Sequence, residues 1–285
     1  ALTLELDWSG LDGMGAQAES GRMVVGESEA AREIAFVALP ATPAGAALPG
    51  LVWLGGFKSD MHGSKAEALA ALARATRRSS FRFDYSGHGQ SGGMFVDGSI
   101  SAWLEQSYHM FTRKALGRRI IVGSSMGGWL AMLLYRHLLL KNPRAARRVA
   151  GLVLIAPATD MTADLMWDEF PDAAKEELAD KGVYLRPSQY GEPYPITARL
   201  ITDGEKHLML KDGLDCHCPV RILQGDEDPD VPAPHAVKVF NRLGCSDITL
   251  TLVKGGDHRL SSPGQLTLIR EMVLRLAERA DGVNQ

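Results

Sequence analysis

Eight short apolar runs rich in β-branched residues punctuate the chain: RMVVGE, EIAFVALP, GLVWLGG, SFRFDYS, RIIVGSS, AGLVLIAPA, PVRILQG and DITLTLVK. The later ones alternate with segments whose apolar residues recur every three to four positions. Parallel strands need crossovers long enough to carry a helix, and those helices cover both faces of the sheet. The alternation therefore predicts an α/β fold, a mainly parallel eight-stranded sheet flanked by helices. The first two runs lie too close together for an intervening helix and should pair antiparallel at one edge. A chain of 285 residues has room for one such core and a modest insertion rather than two equal domains.

Three helices can be placed. SKAEALAALARATRR opens at Ser64 with Glu67 three residues on, the spacing of a capping box, and closes on Arg77 and Arg78, where the helix dipole favours cations. SISAWLEQSYHMFTRKAL sets Ile100, Trp103, Leu104, Tyr108 and Phe111 on one face. The last helix starts near Ser262 and Pro263 and repeats Leu266, Ile269, Met272, Val273 and Leu276. The rhythm breaks between Asp160 and Asp215, where no buried strand is visible and Asp and Glu exceed Lys and Arg by about seven. There TADLMWDEFPDAAKEELADKG reads as one or two amphipathic helices, followed by the Pro- and Tyr-containing YLRPSQYGEPYPI. The domain expectation is a core of residues 1–159 and 216–285, with 160–215 inserted as a helical lid over the carboxyl ends of the strands, where open α/β sheets bind ligands.

Composition removes several classes. A formal net charge of −3, with basic residues clustered only around Arg144, Arg147 and Arg148, provides no field for nucleic acid. No apolar run approaches the roughly 18 to 20 residues that cross a bilayer. The opening ALTLELDWSGLDGMG is acidic and lacks a sustained apolar core, so it reads neither as a secretory signal nor as a transit peptide, and a cytoplasmic location is expected. Cys216, Cys218 and Cys245 are an odd number of cysteines and read as thiols. DCHCP lacks the second ligand pair that zinc sites draw on, so no metal is expected.

The chemistry gathers at IIVGSSMGGWLAMLL. Gly123-Ser124-Ser125-Met126-Gly127 is a G-x-S-x-G pattern with a strand before it and an apolar helix after it. Small residues suit a sharp strand-to-helix turn; they also hold a serine out of the bend, with helix N–H groups behind it. Ser125 is the expected nucleophile. A serine hydroxyl needs a base, and the base a partner acid, in the chain order Ser, acid, His. RILQGDEDPDVP is a strand followed by an acidic loop, and LTLVKGGDHRLSS is the next strand followed by His258, so both loops leave carboxyl strand ends on the side of Ser125. Asp226 follows the strand too closely and Asp230 lies between Pro229 and Val231, which leaves Asp228. His62, His88, His109, His137, His207, His217 and His235 lack a strand end and an acid in the required order. The oxyanion formed in acyl transfer needs two N–H donors, for which Met126 and Phe57 of WLGGFKSD stand in position.

WLGGFKSDMHGSKA, FRFDYSGHGQSGG, IIVGSSMGGWLAM, QGDEDPDVP and GGDHRLSS together resemble the α/β-hydrolase family over most of the chain from about Glu33 onward, and FDYSGHGQS and GSSMGGWL look especially like a branch of acyl-protein thioesterases and acyl-glucuronide esterases. The resemblance implies the α/β-hydrolase fold with a cap between the sixth and seventh core strands. It implies a serine esterase or thioesterase acting on a small-molecule ester or thioester, with no cofactor and with Ser125, Asp228 and His258 as nucleophile, acid and base. Asp84 and Gly87 of FDYSGHGQS are expected to hold a tight turn. Trp129 and Met132 after the nucleophile, with Leu165, Met166, Trp167 and Phe170 of the lid, are expected to line an apolar acyl pocket. The acid excess of the lid should disfavour highly anionic substrates. The scaffold also admits a ligand receptor without turnover, or an acyltransferase or C–C bond hydrolase using the same three residues; a dehalogenase would need a carboxylate at position 125.

Overall fold

The computed structural model describes residues 17–188 and 191–282; the reading of the N-terminal ALTLELDWSGLDGMG lies outside them. All eight apolar runs become strands of one sheet: β1 (Glu19–Val25), β2 (Arg32–Leu39), β3 (Gly50–Leu54), β4 (Ser80–Phe83), β5 (Arg119–Ser124), β6 (Val149–Ile155), and, beyond the segment that breaks the rhythm, Val220–Gly225 and Ile248–Val253. Between these last two groups come β7 (Val183–Arg186), β8 (Tyr194–Thr197) and β9 (Leu214–Cys216), so the seventh and eighth core strands are β10 and β12, with the short β11 (Leu243–Cys245) before β12. The sheet order is β1-β2-β4-β3-β5-β6-β10-β12. As expected, β1 pairs antiparallel with β2 at the edge; β2 is also antiparallel to β4, and every later pairing is parallel.

The helices are α1 (Ser64–Ala75), α2 (Ile100–Arg113), α3 (Met126–Lys141), α4 (Pro143–Ala146), α5 (Asp172–Lys181), α6 (Ala198–Gly204), α7 (Ala233–Arg242) and α8 (Pro263–Asp281). Every residue of β5 and β6 is buried, because helices cover both faces of the sheet. Ile120 and Val122 pack with Leu69, Leu72, Ile269, Val273 and Leu276 of α1 and α8, whereas Ile121 joins Trp103, Phe111, Trp129 and Leu133 of α2 and α3. No described helix is long and apolar enough to cross a membrane.

Two helix starts were read from sequence, and they behave differently. Ser262 caps α8 through a complete capping box with Gln265. At α1 the expected box does not form: Ser64 is already the first helical residue, and Gly63 precedes it with no side-chain cap. Glu67 turns instead toward Arg82 on β4 (2.8 Å) and His62 (3.2 Å), because a full cation within reach outcompetes a backbone N–H. The helix ends at Ala75, so Arg77 and Arg78, expected to close it, lie past its C-cap at Thr76; Arg78 is buried and grips Asp281 of α8 through two bonds of 3.0 and 2.5 Å.

Between β6 and β10 lie a π-helical turn (Ala163–Trp167), α5 and, in place of a featureless connection, an antiparallel hairpin of β7 and β8. Arms of four residues interrupted by Pro195 carry too little alternation for a sequence reading. β9 is a second short strand within DCHCP's approach, paired parallel with β11 so that Cys216 faces Cys245; all three cysteines are free thiols. Bonds within the segment and to the core hold it in place, Lys238 of α7 pairing with Asp164 among them. The buried carboxylate of Asp160 accepts the N–H groups of Met209 (2.8 Å) and Leu210 (2.9 Å), closing its base. Asp203 of α6 accepts the Ser101 N–H (2.7 Å) and hydroxyl (2.8 Å) at the start of α2.

The Arg78–Asp281 pair ties α8 to the β4 side of the sheet. Asp281→Ala should leave a buried guanidinium underpaired and lower the unfolding free energy by about 2–4 kcal/mol, read as a reduced urea midpoint with unchanged slope.

Candidate active site

The first turn of α3 crosses the sheet at very short range. A Cβ at Gly123 would stand 2.2 Å from the Gly127 carbonyl oxygen, and one at Gly127 would stand 2.1 Å from that of Leu54. Backbone contact of this kind excludes any side chain, which is why G-x-S-x-G carries glycine at both ends. Ser125, caught between strand and helix, takes φ 55° and ψ −121°, a region that side-chain-bearing residues enter only when the surroundings hold them there. Its N–H donates to the Ile155 carbonyl (2.8 Å), and its own carbonyl accepts from Gly128 (2.9 Å) and Ala158 (3.1 Å).

The loops after β10 and β12 deliver the other two groups. His258 Nε2 lies 2.9 Å from Ser125 Oγ, and His258 Nδ1 lies 2.8 Å from Asp228 Oδ2. A carboxylate can only accept, so Nδ1 carries the proton and Nε2 presents its lone pair to the serine hydroxyl. Asp228 is buried and held on all sides: Oδ1 accepts the N–H groups of Asp230 (2.9 Å) and Val231 (2.8 Å), and Oδ2 also accepts from the Gln224 amide (3.0 Å). Of the rival acids, Asp226 pairs with Lys254 at 2.7 Å, and Asp230 gives its backbone N–H to Asp228 while its carboxylate stays at the cleft, within 4.8 Å of the Asp228 and His258 donor atoms. Gln224 escaped the sequence reading, although a polar residue inside the apolar RILQG was its signal. Among the described residues, Asp228, Asp230 and His258 form the one group of donors close enough for a shared metal ion, but both ring nitrogens of His258 are already engaged.

Gly56 packs against the serine, where a Cβ would lie 3.4 Å from Ser125 Cβ, so the chain at Phe57 passes directly over the elbow. Among the described residues no backbone carbonyl takes up the N–H of Phe57 or of Met126. Asp84 secures this loop from behind by accepting the N–H groups of Met61 (2.7 Å) and Gln90 (2.7 Å), the turn-holding part expected of it, and Gly87 has φ 74°.

A cleft of about 500 Å³ opens over Ser125. Leu165 and Met166 line it as expected, together with Met161, Tyr194 and Val231, which were not anticipated. Four other expected lining residues, Trp129, Met132, Trp167 and Phe170, do not. Trp129, like Met132, is fully buried, because α3 is apolar all round and this face turns into the core. The π-helical turn rotates Trp167 outward, 40 % exposed beneath the Lys175 ammonium, and Phe170 is buried against Tyr184. The acidic character expected around the cleft is not found in its lining either. Lys58, Lys65, Arg186 and Arg259 face two carboxylates, Asp60 and Asp230, while Asp164 and Asp203 of the acidic segment are spent on Lys238 and Ser101.

A strained serine on a strand-to-helix elbow, hydrogen-bonded to a histidine that is itself bonded to a buried aspartate at the carboxyl edge of a parallel sheet, marks a hydrolase. Comparison with known proteins agrees. Residues 44–267 match the model of the alpha/beta hydrolase family. The mitochondrial palmitoyl-protein thioesterase ABHD10 of Bos taurus is 33 % identical over 223 residues, 78 % of this chain and 70 % of that protein, and its Homo sapiens counterpart is 31 % identical over the same length. Among solved structures, a putative hydrolase from Agrobacterium vitis S4 superposes with a TM-score of 0.87 at 41 % identity, covering 92 % of this chain and 99 % of that one. Mouse alpha/beta hydrolase domain-containing protein 10 gives 0.77 at 28 % identity, covering 91 % and 99 %. The chain belongs to the α/β-hydrolase family and is an enzyme of that class.

Lys65, half-buried on the cleft wall, donates to the Arg259 carbonyl, and burial pushes its pKa down to about 8. An unfolded lysine keeps its proton to about 10.4. Between those values the unfolded chain binds more protons than the folded one, so the contribution of this group to stability rises with pH across that window. Urea titrations of the parent protein and Lys65→Met from pH 7.5 to 10.5 should show the parent gaining stability relative to the variant; parallel curves would contradict the assignment.

Proposed function

We propose that the protein is a serine hydrolase that cleaves carboxylic esters or thioesters through an acyl-enzyme, with Ser125 as nucleophile, His258 as general base and acid, and Asp228 as its orienting carboxylate. The observation that carries this reading is the unbroken chain from Ser125 Oγ to His258 Nε2 (2.9 Å) and from His258 Nδ1 to Asp228 Oδ2 (2.8 Å). His258 takes the hydroxyl proton as Ser125 attacks the carbonyl carbon, and Asp228 stabilises the imidazolium. The Met126 and Phe57 N–H groups receive the developing oxyanion; losing one such donor costs on the order of a hundredfold to a thousandfold in turnover. His258 then protonates the departing alcohol or thiol, and a water molecule, deprotonated by the same imidazole, releases the acid.

Residues 160–215 serve in this reading as a lid that supplies the acyl wall through Leu165 and Met166, alongside Met161 and Val231. Lys58, Lys65 and Arg259 on the opposite loops suit a polar leaving group rich in acceptors. The curated relatives are named palmitoyl-protein thioesterases, which supports placing acyl thioesters beside esters in the substrate class.

Ser125→Ala should abolish hydrolysis of p-nitrophenyl butyrate, and Asp228→Asn should lower kcat by about 10⁴, the cost of holding the histidine in the wrong tautomer. Full activity in the serine variant would remove the nucleophile assignment. Across a p-nitrophenyl ester series from acetate to octanoate, kcat/KM should rise roughly threefold to fourfold per methylene over the first steps, and a flat profile would remove the apolar acyl wall.

A further inference from the structure

His88 takes no part in the Ser125, His258 and Asp228 chain, yet its side chain reaches the loop at Phe57. It lies in the turn after β4, within FDYSGHGQS, and is 4 % exposed. Its ring stands edge-on to Tyr85, Phe95 and Trp103, with centroids 5.6, 5.1 and 5.2 Å away. Nδ1 faces the Ser86 carbonyl at 3.2 Å. A carbonyl can only accept, so Nδ1 carries the proton and Nε2 is left with a lone pair. That lone pair receives the backbone N–H of Lys58 at 3.0 Å.

Lys58 directly follows Phe57, and its φ of 56° puts a side-chain-bearing residue in the left-handed region. Such a conformation persists only when neighbours over-determine it. Behind the imidazole the polar chain continues into α2. The Ser86 N–H donates to Gln106 Oε1 (2.9 Å), Gln106 Nε2 donates to Ser86 Oγ (2.8 Å), and the Trp103 indole N–H donates to the Ser86 carbonyl (3.2 Å). Ser86, Gln106 and Trp103 are all buried, so each of these bonds is made where water offers no substitute.

We propose that His88 is a positioning residue for hydrolysis: its imidazole, braced by Ser86, Gln106 and Trp103, fixes the backbone at Lys58 and thereby aims the preceding Phe57 N–H at the carbonyl oxygen that Ser125 attacks. The proposal rests on the reading of Ser125 as nucleophile and Phe57 as oxyanion donor. It requires a neutral ring, since an imidazolium has no lone pair to offer. Burial pushes the His88 pKa down to about 4, which keeps that lone pair available at neutral pH.

A residue that only filled space here would be replaceable by any ring of similar size, and that difference is measurable. His88→Phe preserves the aromatic surroundings and deletes the acceptor; His88→Gln places an amide oxygen at the reach of Nε2. With p-nitrophenyl butyrate, His88→Phe should lose about tenfold to a hundredfold in kcat, the scale expected for a misplacement near 1 Å, while KM stays within about twofold. His88→Gln should recover most of that loss. A trifluoromethyl ketone, which becomes an oxyanion when Ser125 adds to it, should weaken in affinity for His88→Phe by the same factor as kcat. An unaltered kcat in His88→Phe, a loss confined to KM, or equal losses in both variants would overturn the proposal. Should His88→Phe fail to fold, as judged by its thermal midpoint, His88→Gln decides alone: near-parental kcat and ketone affinity support the proposal, and reduced kcat with undiminished ketone affinity ends it. The nucleophile reading fails separately, through turnover retained by Ser125→Ala.

Discussion

The site depends on backbone pressed against backbone. The first turn of α3 lies so near β3 and β5 that the carbonyls of Leu54 and Gly127 occupy the places where side chains at 127 and 123 would begin. This closeness forces Ser125 into its strained conformation and brings the start of the helix under the serine. The strain is carried by the bonds from Ser125 to Ile155, Gly128 and Ala158, which lock the corner to β6 and to the chain beyond it. Once the serine is fixed, the neighbouring strand ends have only to deliver His258 and Asp228 to the same rim. Parallel pairing of β6 with β10 and of β10 with β12 does so, because strands that run together also end together.

The sheet was legible because its strands are buried on both faces and therefore read as uninterrupted apolar runs. Ser125, Asp228 and His258 could be picked out because each sits where such a run stops, and the structure brings those three side chains into one hydrogen-bonded chain. What resisted reading has specific causes. Trp129 follows the serine closely, but a helix that is apolar on every side gives no indication of which side meets the cleft. Trp167 and Phe170 were expected at the cleft as apolar residues of the lid, and apolar character alone does not say which way a side chain turns on a π-helical turn. The β7–β8 hairpin is too short and too interrupted to alternate visibly. Ser64 and Glu67 had the spacing of a cap, yet Arg82, distant in sequence and adjacent in space, claimed the carboxylate.

Polar groups buried around the cleft fall into two sets that approach it from opposite sides. Gln224 and the N–H groups of Asp230 and Val231 surround Asp228, so its carboxylate has no freedom to turn from His258. On the other side Asp84 collects Met61 and Gln90, and the turn that carries Asp84 also carries Ser86 and His88. The serine thus stands between two hydrogen-bonded frames, each rooted in a different part of the sheet. Rigidity of this kind matters at a reacting centre, where displacement by a fraction of a bond length is felt in rate.

The bonds that hold residues 160–215, among them Asp160 at its base and Asp203 against α2, have a consequence for how such a molecule changes over generations. The stretch between them, from Ala163 to Ile196, contributes no member of the Ser125, His258 and Asp228 chain. On the proposed reading, substitutions there would alter the shape and charge of the cleft wall, while Ser125, His258 and Asp228 remain where the sheet puts them. Selectivity and reactivity would on that reading be inherited on separate pieces of the polypeptide, so that one can be rewritten while the other is kept.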